Sequence, residues 1–156
     1  MQGQPEIVDF LNEALAAEVT AINQYFVNSK VCEDWGWDRL AAKMREESIE
    51  ETHDPEKLMD RILSLDGMPR LESLSSVRAG KTVEEQMEND RRLEVSAIER
   101  SRRGVALAEQ HGDVGTRELL EHLLVGEEEH LDWIETQQSA IAAIGIQNYL
   151  QAQIGD

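Results

Sequence analysis

Cysteine, proline and aromatic residues are all scarce in this chain of 156 residues. The single cysteine, Cys32, cannot close an internal disulfide, which points to a reducing, cytoplasmic compartment. With three Trp, two Tyr and two Phe, the core has to be built mostly from Leu, Ile, Val, Ala and Met. Positive charge is short as well: 15 Lys and Arg stand against 32 Asp and Glu, a formal charge of −17. That balance argues against nucleic acid or an anionic membrane as partner and suits the attraction of cations. No stretch approaches the ~18 apolar residues of a membrane span. The start, Met1-Gln2-Gly3-Gln4-Pro5-Glu6, has neither a basic region nor an apolar run, so no signal peptide is expected. Period-two alternation is missing too, which excludes strands.

What is present is helical periodicity, sparsely punctuated by Gly and Pro. Apolar residues at Leu11, Leu15, Ile22 and Tyr25 mark a first helix over about 5–34, opened by Pro5 and Glu6. Leu40, Met44, Leu58, Ile62 and Leu65 mark a second over about 38–65, stopped by Gly67 and Pro69. A third covers about 83–111, with Thr82 as N-cap and Glu85 three residues on. A fourth covers about 115–144, and a short fifth about 147–153. The length fits one domain over 1–156. Short turns make the first pair and the last pair antiparallel. The linker from Asp66 to Thr82 reaches roughly 55 Å when extended. It can therefore run back along a helix of about 40 Å and leave the second and third helices parallel. The fold class is all-α, a four-helix bundle with one long crossover and a short C-terminal helix.

Each apolar stripe is broken near mid-helix by acid. Glu18 lies between Leu15 and Ile22, and Glu51 between Met44 and Leu58, with Asp54 one turn on. Glu94 follows Met87 and Asp90, and Glu127 and His130 interrupt the run from Leu123 to Ile134. Spacings of three, four and seven put these groups on the inward face of each helix. Being near mid-helix, they fall in one layer whichever way each helix runs. So many carboxylates in a dry layer are tolerable only when metal or protons compensate them. Singly each has a plainer reading: Glu127-Glu128-Glu129 as a solvated run, Glu18 as an edge residue. Four inward carboxylates on four helices, with Glu-x-x-His on one, form the di-metal carboxylate pattern of ferritin-like bundles.

The sequence resembles the bacterioferritins over nearly its whole length. The resemblance is carried by Asn23-Gln24-Tyr25-Phe26 after Glu18, Glu47-Ser48-Ile49-Glu50-Glu51, Arg61-Ile62-Leu63, Glu128-Glu129-His130-Leu131-Asp132-Trp133 and Asn148-Tyr149-Leu150-Gln151. It implies a hollow shell of twenty-four identical subunits, or one mixed with a second bacterioferritin subunit. It also implies oxidation of Fe(II) by O₂ or peroxide at an intra-subunit di-iron centre, storage of ferric mineral, and a ferredoxin for iron release. By the same resemblance Glu18, Glu51, Glu94, Glu127 and His130 are catalytic metal ligands, with Glu51 and Glu127 bridging. Glu46 and Glu50 match inner-wall iron positions, and Asn148 and Gln151 match residues lining a symmetry pore.

Two positions depart from the family. Asp54 stands where a histidine is expected, with His53 before it and Pro55 after. In a regular helix His53 lies about 200° from Glu51, hence away from the centre. A bulge at Pro55 would swing it inward as an alternative ligand. Regular geometry favours Asp54. Five carboxylates against two divalent ions would favour ferric over ferrous iron and slow the reaction. Thr52 replaces the methionine that holds haem b between subunits, and no Met lies nearer than Met44 or Met59. Haem is therefore expected only where a partner subunit supplies the methionine. The rival readings are a catalytically impaired structural and nucleation subunit of a mixed shell, and a manganese carboxylate oxidase or catalase. Tyr25, seven after Glu18 on the same face, reads first as a core residue and second as a hydrogen-bond donor to a ligand. Cys32 reads as a small buried group, Trp35, Trp37 and Trp133 as packing or subunit contacts, and His111 and His122 as surface groups.

Overall fold

Pro5 opens the first helix at a position where its missing N–H costs nothing, and Glu6 sits at the positive end. The computed structural model describes residues 1–155. It contains α1 (Pro5–Asp34), α2 (Asp38–Glu51), α3 (His53–Ser64), α4 (Val83–Gln110), α5 (Val114–Ile144) and α6 (Ile146–Gln151). Helices are the only regular elements among the described residues. Among the described residues, no helix is long and apolar enough to cross a membrane.

Helix directions follow from the packing. The N-terminal part of α1 (Ile7, Leu11) meets Leu58 and Ile62 of α3, Ala108 of α4 and Leu120 of α5. The other end of α1 (Cys32) meets Leu40 and Met44 of α2, Val83 and Met87 of α4, and Ile134 of α5. So α2 and α3 run against α1, α4 runs parallel to them, and α5 returns. The crossover lies along α1: Asn12 donates to Met68 O (3.1 Å) and accepts from Arg70 N (2.6 Å), and Gln24 accepts from Arg78 N (3.1 Å). Satisfying its backbone on α1 side chains lets so long a segment stay ordered.

Local chemistry sets the ends. Thr82 accepts from Glu85 N (3.1 Å) to start α4, while Glu85 in return accepts from Lys81 N (3.0 Å). Asp113, not foreseen as a cap, accepts from Thr116 N to start α5 and holds Arg61 of α3 at 2.6 Å. Gly36, at φ +87°, makes the turn into α2. Gly104 is required for close approach: a Cβ there would stand 2.3 Å from the Phe10 ring.

One difference from the periodicity concerns the second helix, expected unbroken over about 38–65. It is interrupted at Thr52, whose N–H turns to Ile49 O (3.1 Å) while its hydroxyl donates to the same oxygen (2.6 Å). Pro55 has no N–H to return to the Glu51 carbonyl, so the ladder cannot be continuous there. Thr52 keeps right-handed helical angles, and the interruption does not swing the chain into a wide bulge.

Candidate metal centre

The two apolar clusters occupy opposite ends of the bundle and leave the middle to acid. Glu18 of α1, Glu94 of α4, and Glu127 and His130 of α5 are all buried there. Glu51, the last residue of α2, and Asp54, in the first turn of α3, are half-buried. Single oxygens of Glu18, Glu51 and Asp54 lie within 4.8 Å of one another, and so do ligand atoms of Glu47, Glu51 and His130. Glu51 is common to both groups.

One oxygen of Glu94 carries two contacts from other helices. His130 Nδ1 lies 2.8 Å from its Oε1, and the Tyr25 hydroxyl donates to the same oxygen. Its other oxygen, Oε2, is buried with no hydrogen-bond partner among the described residues. An orphaned carboxylate oxygen in a dry layer is costly unless a cation completes it. His130 Nδ1 also lies 3.8 Å from Glu51, and its Nε2 stands 4.0 Å from Glu47. The ring meets Tyr25 edge-on at 5.0 Å and stacks on Trp133 at 6.1 Å.

Titration in the layer reflects crowding. Burial, then the charges of Asp54 and Glu94, push the Glu18 carboxyl up to about 7. Burial, then Glu94 and Glu18, push Glu51 up to about 11. Burial, then Glu18, push Glu127 up to about 9, although the Ser101 hydroxyl opposes the rise. Burial raises Asp54 against the pull of Lys57, His122 and His53. Burial disfavours charge on His130, but its contact with Glu94 prevails and raises it. Burial and crowding thus favour the protonated forms of Glu18, Glu51 and Glu127.

The remaining candidates sort by position. His53 is exposed on the far side of the interrupted helix, and Asp54 is the residue turned toward Glu18 and Glu51. Glu46 and Glu50 are exposed and line, with Glu47, Glu51 and His130, a cavity of about 400 Å³ on the α2–α5 face. Thr52 is exposed, and its hydroxyl is spent on Ile49 O. Asn148 is exposed, its side chain donating to Ile144 O at 2.8 Å. Sequence reasoning overlooked Glu47 as a metal-facing group, though it stands one turn before Glu51 on the same face. It also overlooked Ser101, and it gave Trp133 to packing or subunit contacts rather than to the site.

Comparison with known proteins agrees with this geometry. The ferritin-like domain family matches residues 8–144. A bacterioferritin of Streptomyces coelicolor is 44% identical over 154 residues, covering 99% of this chain and 92% of the relative. A bacterial ferritin of Pseudomonas aeruginosa is 42% identical over 155 residues, covering 99% of this chain and all of the relative (100%). The solved structure of Mycobacterium tuberculosis bacterioferritin BfrA superposes with a TM-score of 0.97 at 39% identity, covering 99% of this chain and 98% of that one. A shared fold, near-complete coverage and identity of this order leave one conclusion: the chain belongs to the bacterioferritin family of ferritin-like proteins.

Proposed function

We propose that Glu18, Glu51, Asp54, Glu94, Glu127 and His130 form a di-iron site at which this iron-storage subunit oxidises Fe(II). Family membership makes the chain a component of a multi-subunit iron-storage shell; the homo-oligomer of twenty-four and the ferroxidase reaction are part of the proposal. The observation that carries it is the buried Glu94 Oε2, without a hydrogen-bond partner among the described residues, inside a layer of crowded acids. Fe(II) is the substrate. Its arrival displaces protons from Glu18, Glu51 and Glu127, so the carboxylates take up the positive charge the protons supplied. Two Fe(II) give up one electron each. With two protons these electrons reduce O₂ to hydrogen peroxide, or peroxide to water. The excess of acid at Glu46 and Glu50 suits nucleation of the ferric product.

Asp54 supports a slower version of the same reaction. Five carboxylates and one imidazole leave the pair of ions with one more negative charge than a four-carboxylate, two-histidine set. That charge favours Fe(III), so turnover is limited by release of product rather than by oxidation. In the limit the subunit supplies shell and nucleation surface to a mixed assembly. Haem is not accommodated at Thr52: a hydroxyl engaged with Ile49 O is no axial ligand for ferrous haem.

The test is Glu127→Ala, which removes a bridging carboxylate and leaves the apolar clusters intact. Light scattering should show the shell in both proteins, and stopped-flow absorbance should show rapid Fe(II) oxidation only in the wild type. Equal rates would place oxidation on the mineral and overturn the centre. A monodisperse monomer at micromolar concentration would overturn the shell.

A further inference from the structure

The Ser101 hydroxyl crosses from α4 to α5 and meets both oxygens of Glu127, at 2.9 and 3.1 Å. Ser101 is buried and lies seven residues after Glu94, on the same inward face of α4. Mid-helix serines commonly return their hydroxyl to the carbonyl one turn back. This one is committed to another helix instead. From these contacts we infer that Ser101 is a positioning residue for the metal centre, holding the Glu127 carboxylate in the orientation that a cation needs. The inference rests on the reading of this layer as a di-metal site.

The terminal torsion of a glutamate is broad and roughly two-fold, so a free Glu127 head would sample many orientations. A single donated proton shared between its two oxygens restricts that rotation without occupying the side facing Glu18. Glu94 is held in a comparable way by Tyr25 and His130 from α1 and α5. Ser101 gives the α5 glutamate its own support from α4. Outer groups of this kind typically change metal affinity by about 10–100-fold when removed.

Co(II), which does not react with O₂ here and reports its ligands by its visible spectrum, is the probe. The assembled wild-type protein should bind two Co(II) per chain. Ser101→Ala should keep that stoichiometry, weaken the second binding step by about tenfold and alter the visible bands. Ser101→Thr, which retains the hydroxyl, should restore both. If Ser101→Ala fails to assemble, the near-isosteric pair Ser101→Thr and Ser101→Val makes the same comparison, with Val expected to bind weakly. Affinity and spectrum unchanged in Ala, or equal in Thr and Val, overturn the role of Ser101 while leaving the centre standing. Failure of the wild type to bind Co(II) overturns the centre, and the role of Ser101 with it.

Discussion

His130 Nδ1 and Glu94 Oε1 lie 2.8 Å apart and tie α5 to α4 at the level of Glu18, Glu51 and Glu127. The same oxygen takes the Tyr25 hydroxyl, so the far side of the carboxylate is left for whatever enters the layer. Glu94→Gln keeps the shape, removes one charge and replaces an acceptor oxygen by a donor. The cation-free protein should become more thermostable, because like-charge crowding on Glu18, Glu51 and Glu127 is relieved. Co(II) affinity should fall by at least about tenfold. Calorimetry with and without Co(II) measures both; a Gln variant that is less stable and binds as well as the wild type refutes the assignment.

Stability should depend on pH in an unusual direction. Burial and neighbouring acids push Glu18 up to about 7, Glu127 up to about 9 and Glu51 up to about 11 in the folded protein, against 4.5 for an ordinary glutamate. Above pH 4.5 the unfolded chain has released protons that the folded layer still holds, so stability falls as pH rises. The stabilisation is complete below the ordinary value and is lost progressively through the raised ones. Melting temperature of the metal-free shell should drop between about pH 5 and about pH 8, and Co(II) should reverse the drop with release of protons. A metal-free melting temperature that rises over this interval contradicts the protonated layer.

The second-helix departure makes its own forecast. Asp54→His lowers the negative charge of the centre by one and restores the imidazole, so Fe(II) oxidation over repeated additions should quicken by about tenfold. His53→Ala, on the exposed side, should leave the rate within error. Reversal of the two effects in stopped-flow traces would make His53 the ligand.

Thr52→Met places a thioether on the exposed surface at the same helical position. Reconstitution with haem should give a bis-thioether absorption spectrum in this variant and none in the wild-type homo-oligomer. One haem per subunit pair in the wild type would require another ligand.

Periodicity determined four amphipathic segments and one acidic layer, and the reach of the linker over 66–82 determined a parallel second and third helix. The segments and the layer depend on spacing within a helix, which the 3.6-residue repeat makes local. The interruption at Thr52 was half legible: Pro55 announces a lost hydrogen bond, but not whether the chain bulges. Tertiary structure decided that it does not, and so turned Asp54 inward and His53 to solvent. It also decided the cross-helix partners: Tyr25 and His130 on Glu94, Ser101 on Glu127, Glu47 facing His130. Those pairings depend on the axial shift and rotation of one helix against another and on rotamers chosen by packing. A single strand of sequence carries no local record of them, because each partner is set by atoms dozens of residues away.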